Sequence, residues 1–374
     1  MTTLCALGLM SGTSMDGIDL ALLRTDGVDA VERGPSYFVA YEAAFRRRIE
    51  AALEDAKRII RRDERPGDLA ALEREITMRH AEAVRIFLAR VDGAWASPDI
   101  VGFHGQTVLH RPDAALTVQI GDGALLARQV GLPVVFDMRA NDMAHGGQGA
   151  PLVPAYHAAL ARSLPAPWDA VSPVCLVNVG GISNVTFVPA AGDPVAFDSG
   201  PGNALIDQWV QREAGLPYDQ DGAVAREGAT NVAVVQQYLE APFFGRTAPK
   251  SLDRGDFTLD YVDGLELADG ARTLAAVTAD ANLLAATQMP VPPKLWILCG
   301  GGRKNPHIVD DMRFGAAREG AAVVLAEDVG LDGDSMEAEA WAYLAVRSRR
   351  GLPLTFPSTT GCREPVSGGV LAMP

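Results

Sequence analysis

The sequence predicts an α/β protein folded as two lobes, and three observations predict it. Its 374 residues exceed the roughly 100–150 of a common single domain, so two hydrophobic cores are expected. Short apolar runs bounded by Gly, Asp or Pro alternate with amphipathic stretches along the chain, the pattern of strands packed under helices. A scheme of strand, small-residue turn and strand opens the chain and returns in its second half.

Taken in order, the apolar runs Leu4 to Leu9 and Ile18 to Leu23 flank SGTSMDG, which is rich in turn formers and too short for a crossover helix. A hairpin with a small-residue tip is expected there. A third strand is read at Tyr37 to Tyr41. Charged, Ala-rich helices follow over Tyr41 to Ile60 and Asp68 to Arg90, with Leu69, Leu72 and Ile76 at helical spacing. Strands recur at Asp99 to Phe103, Thr117 to Ile120 and Val134 to Phe136, ahead of the glycine-rich HGGQGAPLVP. The lobe boundary is placed near it, giving an N-terminal lobe of residues 1–140, with part of the C-terminal tail open to it, and a C-terminal lobe of 141–374. In the second half, CLVNVGGISNVTFV (Cys175 to Val188) and VAFDSGPGN (Val195 to Asn203) repeat the opening scheme. Helices are expected at Asn203 to Ala214, Asn231 to Glu240, Arg272 to Gln288, Asn305 to Arg318 and Ser335 to Arg347, and a strand at Leu295 to Cys299. The tail from Thr355 is Gly/Ser/Pro-rich and is expected to be ordered by packing on a lobe.

Composition removes several functions. With 33 Lys plus Arg against 47 Asp plus Glu, the formal charge is −14, which repels the phosphate backbone that dominates nucleic-acid affinity. The four cysteines are far apart and form no CxxC pair or zinc-ligand pattern. They read as free thiols in a reducing compartment. The opening residues lack the basic segment of a secretion signal, and no window offers the roughly 18 apolar residues of a membrane span. A cytoplasmic protein is expected.

Four small-residue turns each follow an apolar run: Gly12 to Gly17, Gly180 to Asn184, Asp198 to Asn203, and Gly300-Gly301-Gly302. Glycine lets a backbone approach a ligand closely, and successive N–H groups at such a turn suit phosphate oxygens. Each turn alone could simply tighten a connection. The patterns GxxxxGK[ST] and GxGxxG are absent, so neither a P-loop nor a dinucleotide-binding dehydrogenase is supported. What fits is a cleft protein that holds phosphates between the hairpin tips of two related lobes.

In this sequence the segments GLMSGTSMDGIDLAL (Gly8 to Leu22), FHGQT (Phe103 to Thr107), TVQIGDGALLA (Thr117 to Ala127), GGQGAPLVPAYH (Gly146 to His157), NVGGISN (Asn178 to Asn184), FDSGPGN (Phe197 to Asn203), PKS (Pro249 to Ser251), CGGG (Cys299 to Gly302) and SMEAEAWAYLA (Ser335 to Ala345) occur in one order. Together they resemble the 1,6-anhydro-N-acetylmuramate kinases over nearly the whole chain. The resemblance implies a two-lobed actin-like ATPase (ribonuclease H-like) fold with an interdomain nucleotide cleft. It also implies ATP-dependent phosphorylation of the amino sugar at O6, with hydrolytic opening of its 1,6-anhydro ring, in recycling of the bacterial cell wall. The implied cofactors are ATP and Mg²⁺; the implied partners are these small molecules, with a homodimer left open.

The resemblance distributes roles. Asp198, at the end of a strand and before a glycine turn, matches the catalytic aspartate, although such a carboxylate also serves as a helix cap or turn former. Glu337 matches a carboxylate near the reacting centre, and could equally cap the helix that starts near Ser335. Gly12, Thr13, Ser14, Met15, Asp16, Gly17, Ile18 and Asp19 match the ATP-binding motif, with Asp16 suited to Mg²⁺ through water and Asp19 at the motif's edge. Gly181, Gly200, Gly202 and Asn203 belong to the second phosphate turns, and Gly300, Gly301 and Gly302 to the adenosine side. His104, Gln106 and Thr107, read as following a strand, lie in a motif that faces the sugar. Arg139 offers a guanidinium fork to the lactyl carboxylate, or to an ion pair between lobes. Relatives often carry further arginines where this chain has Ala140 and Asn141. The rival readings are a kinase of the same fold for another sugar, an ATP-switched interaction module, and a glycosidase using Asp198 with Glu337.

Overall fold

The computed structural model describes residues 2–12, 14–252 and 255–374. Thr13, expected in the ATP-binding motif, lies outside the described residues. The chain divides into two compact units, Met1–Ser163 with Ser335–Pro374, and Leu164–Asp334.

The first unit opens with β1 (Leu4–Ser11), β2 (Gly17–Thr25) and β3 (Val31–Ala40), an antiparallel meander. Then come α1 (Ala43–Ala56) and α2 (Leu69–Leu88). Strand β4 (Ile100–Arg111) lies parallel to β1, and β5 (Leu116–Ile120) folds back on it. Helix α3 (Gly123–Val130) starts where Asp122 accepts from the Leu125 N–H at 2.8 Å and stops at left-handed Gly131. It leads into β6 (Val134–Phe136), parallel to β4, and then α4 (Ala140–Ala144) and α5 (Pro154–Arg162).

The second unit contains β7 (Val174–Val179), β8 (Ile182–Val188), β9 (Val195–Pro201), α6 (Ala204–Ala214), α7 (Val232–Leu239), α8 (Leu267–Leu284), β10 (Leu295–Cys299), α9 (Pro306–Arg318) and β11 (Ala322–Leu325). The chain then rejoins the first unit through α10 (Met336–Arg349), α11 (Pro357–Thr360) and β12 (Val370–Ala372).

The two sheets repeat one topology. Strand order is β3-β2-β1-β4-β6 in the first and β9-β8-β7-β10-β11 in the second, each with an antiparallel hairpin at its start and parallel strands after it. This is the ribonuclease H-like arrangement, and it turns the sequence echo into a structural repeat. β12 pairs antiparallel with β6 and so orders the tail.

The boundary falls at 163 and 334, not at 140, because α5 packs on α10, where the Tyr156 and Tyr343 rings lie 5.3 Å apart. Residues 141–163 therefore stay with the first core. Strand alternation explains how α10 is seated. Leu7 and Leu9 on β1, with Val101 and Phe103 on β4, join the core formed with α2 and α3. On the opposite face, a Cβ at Gly8 would overlap the Ala338 carbonyl and one at Gly102 the Trp341 carbonyl. Only glycine lets the Ala-rich helix come that close. That approach fixes the start of α10, where Glu337 sits.

Candidate active site

The β1–β2 connection is a tight turn in which Met15, at φ 55, donates its N–H to the Gly12 carbonyl at 3.1 Å. Ser14 is exposed and its hydroxyl donates to Asp16 Oδ1 at 2.7 Å, so a hydroxyl and a carboxylate stand together at the tip. Behind them the turn is anchored. Gly17 and Ile18 are buried, the Asp16 backbone carbonyl accepts the Tyr41 N–H at 2.8 Å, and Asp19 pairs across to Met10.

The residues expected just after a strand lie inside it. β4 continues to Arg111, so His104, Gln106 and Thr107 are strand residues; the polar run masked the extension because strands favour apolar alternation. His104 is buried and both ring nitrogens are used: Nε2 meets Arg139 Nη2 at 3.1 Å and Nδ1 meets the Ser11 carbonyl at 3.1 Å. Because guanidinium only donates, Nε2 accepts and Nδ1 carries the proton. Burial, then the Arg139 charge, holds this imidazole well below its ordinary pKa. Gln106 is fully buried, accepting from Ser11 Oγ at 2.6 Å and donating to the Gly12 carbonyl at 3.0 Å. Both side chains thus clamp the root of the β1–β2 hairpin. Thr107 accepts from Gln119 Nε2 at 3.2 Å.

Arg139 donates through Nη1 to the Gly149 carbonyl at 2.9 Å and lies over the Trp341 ring at 5.3 Å, while its buried Nε has no partner. A buried guanidinium N–H without an acceptor is costly, and a ligand carboxylate would relieve it. Burial lowers this guanidinium to about 10, with Glu337 and Asp142 opposing the fall. Glu337, in the first turn of α10, keeps contact with solvent. The protein packed around it raises its carboxyl, Arg139 pulls it down and Asp16 adds to the rise. The hairpin tip, the arginine and this carboxylate therefore share one electrostatic neighbourhood.

In the second unit, Asp198 is not at a strand end. β9 runs through to Pro201, since Gly-Pro-Gly, a turn signal in sequence, here closes a strand that pairs with β8. Alternation turns Phe197 and Ser199 toward the helices, where Ser199 Oγ donates to Asn282 at 2.6 Å, and turns Asp198 to the other face. There its Oδ2 accepts the Leu252 N–H at 2.8 Å and its own N–H donates to the Lys250 carbonyl at 3.0 Å.

The glycines around it do different things. The N–H groups of Gly202, Asn203 and Ala204 donate to the Gly180 and Gly181 carbonyls at 2.7–3.1 Å, locking the β7–β8 hairpin tip to the start of α6. A Cβ on Gly202 would overlap the Gly180 carbonyl. Gly181 and Gly301 are exposed, Gly300 and Gly302 pack against β7, and Gly200 leaves room for Ala281.

Sequence reasoning missed the cavity beside these turns. It is about 490 Å³ and lined by Asn203, Asp207, Tyr218, Asp221, Gly301 and Lys304, among others. Burial, then Asp219, raises the Asp207 carboxyl to about 6. A concave site of this size, mixing an aromatic ring with acceptors and donors, suits a nucleoside. The signal for it in the sequence is the first turn of α6 directly after FDSGPGN.

The anhydro-N-acetylmuramic acid kinase family description matches residues 5–374. The chain belongs to this family. A kinase of that name from Rhizobium etli is 57% identical over 369 residues, covering 99% of this chain and 98% of the relative. One from Agrobacterium fabrum is 55% identical over 366 residues, covering 98% of both. Among solved structures, a ROK family glucokinase from Streptomyces griseus, in complex with glucose and AMPPNP, covers 93% of this chain and 100% of its own at 16% identity and TM-score 0.42.

Asn141, expected from the resemblance to stand where relatives carry arginine, has a local role. Asn141 donates to the Ser367 carbonyl at 2.7 Å, tying α4 to the tail, and leaves Arg139 as the guanidinium beside His104.

Proposed function

We propose that this chain transfers the γ-phosphoryl group of ATP to O6 of 1,6-anhydro-N-acetylmuramic acid while water opens the anhydro ring, giving N-acetylmuramic acid 6-phosphate and ADP. The observation that carries the reading is full-length family membership together with the clamped carboxylate of Asp198. In this reaction Asp198 takes a proton from water as the oxygen attacks C1. The C1–O6 bond breaks, and O6 accepts the phosphoryl group from ATP. Glu337 stands near the anomeric centre. Arg139 receives the lactyl carboxylate on its partnerless Nε edge, and His104 and Gln106 act behind the hairpin by holding it rather than by touching sugar.

The hairpin from Gly12 to Asp16 and the exposed Gly181 are the phosphate contacts in this proposal, with the nucleoside in the Asp207 and Tyr218 cavity. The donor set at the hairpin fits Mg²⁺: one exposed carboxylate, Asp16, beside a hydroxyl, leaves a hard cation its waters and the nucleotide's oxygens. When bound there, Mg²⁺ would neutralise charge on the phosphates. A cytoplasmic location is part of this proposal, and the four buried thiols suit a reducing compartment. Light scattering decides between monomer and homodimer.

Incubation with ATP, Mg²⁺ and the amino sugar in heavy-oxygen water tests the reaction. Label is expected at C1 of the phosphorylated product. Phosphorylation without label at C1 would point to a simple sugar kinase, and ring opening without ATP to a glycosidase.

A further inference from the structure

Asp198 is fixed by a strap, residues 250–252, that pairs with it through backbone on both sides: its N–H on the Lys250 carbonyl at 3.0 Å and the Leu252 N–H on its Oδ2 at 2.8 Å. The strap is remote in sequence, 54 residues from Asp198 at the Leu252 contact. Its own anchor is the Lys250 side chain. The residue is 7% exposed, and its ammonium donates to the Phe243 carbonyl at 3.2 Å and the Phe244 carbonyl at 3.5 Å. It faces the rings of Phe243 at 4.4 Å, Phe197 at 5.8 Å and Phe244 at 5.9 Å. The Phe244 carbonyl also takes Gln288 Nε2 at 2.9 Å, so the receiving segment is itself held from the turn that follows α8.

A buried cation inside an aromatic cage is an expensive way to pack space that methionine or leucine would fill. Cation–π contacts and two carbonyls offset that cost and make the strap's position specific. Burial, then Arg246, lowers this ammonium to about 8, and Asp198 opposes the fall. Arg246 is paired with Asp256 at 3.5 Å. Asp198 is a carboxylate whose charge acts on Lys250.

We infer that Lys250 is a positioning residue for the base: its caged ammonium pins the 250–252 strap, and the strap aims the Asp198 carboxylate. The inference rests on the reading of Asp198 as the base. It needs no contact between Lys250 and either substrate, which separates it from a phosphate-binding lysine.

The test compares Lys250→Met, Lys250→Arg and Asp198→Asn in the full chain by steady-state kinetics, nucleotide titration and thermal unfolding. For Lys250→Met we expect kcat to fall about 100-fold with KM for ATP and for the amino sugar within about threefold of the parent, the pattern of an interaction used in the transition state. Lys250→Arg, which keeps a cation for the cage, is expected to recover part of that loss. If Lys250→Met does not fold, Lys250→Gln, which removes the charge but keeps a polar end, replaces it, with a smaller fall in kcat and both KM values again within about threefold. A kcat within about twofold of the parent, or a loss confined to KM for ATP, overturns the inference while an inactive Asp198→Asn leaves the base intact. An active Asp198→Asn overturns the base itself.

Discussion

His104 and Arg139 show how one donor-only partner settles the chemistry of another. Because the guanidinium cannot accept, the imidazole must, and the proton on Nδ1 then reaches the Ser11 carbonyl at the root of the hairpin. Arg139 in turn keeps an edge without a protein partner. Lysine would supply charge there without the planar fork. Arg139→Lys is therefore expected to raise KM for the amino sugar about tenfold or more, with KM for ATP little changed, measured with each substrate varied against saturation of the other. Equal rises in both would place Arg139 in the support of the hairpin alone. The sequence made Asp198, Glu337 and Arg139 visible because each sits in a short contiguous motif. It could not show that Gln106 spends its amide on Ser11 and Gly12, which depends on how β4 registers on β1, or that Lys250 folds back to the Phe243 carbonyl, which depends on the path of the irregular segment between them.

Among the elements, the strand ends were the hardest part to foresee. The β1–β2 hairpin and β10 were legible because apolar runs met turn formers abruptly. β4 was read short because His104 to Thr107 is polar, and β9 because Gly200 and Gly202 look like a turn. Both place candidate site residues on strands where loops are expected from sequence. α3 and β11 went unread since each is short and its periodicity is brief. Helix α10 depends on two missing side chains below it. Gly8→Ala and Gly102→Ala would each drive a methyl into a helix carbonyl, and overpacking of this kind costs about 1–3 kcal/mol. Urea unfolding should show that loss, with kcat falling further than stability alone explains, because Glu337 rides on the displaced turn. Unchanged stability in both variants would mean that α10 can shift freely.

Over the whole molecule, stability should depend on acid through buried neutral imidazoles. His80 is fully buried on α2, with Nδ1 on the Ile76 carbonyl at 2.8 Å, its Nε2 without a partner and its ring edge-on to Phe103 at 4.9 Å. Burial lowers its pKa to about 4, and His157 is lowered the same way to about 3. Below the ordinary histidine pKa of roughly 6.5 the unfolded chain binds protons that the native state refuses, so stability present at pH 7 and above drains away as pH falls toward 4. His80 alone accounts for about 2 kcal/mol between pH 8 and pH 5. Urea titrations at those two pH values should show the drop, and His80→Leu should shrink it by about that amount. An identical pH slope in the variant would exclude His80 as its source.

The second unit is one continuous stretch, Leu164–Asp334, whereas the first is split around it. On the ribosome, then, the first sheet emerges early but must wait: its covering helix, α10, and its closing strand, β12, are translated after everything else. The later-made half can finish first. A chain released at residue 334 should carry a protease-resistant C-terminal fragment and an uncovered N-terminal sheet, leaving Gly8 and Gly102 facing solvent as an apolar trough that invites aggregation.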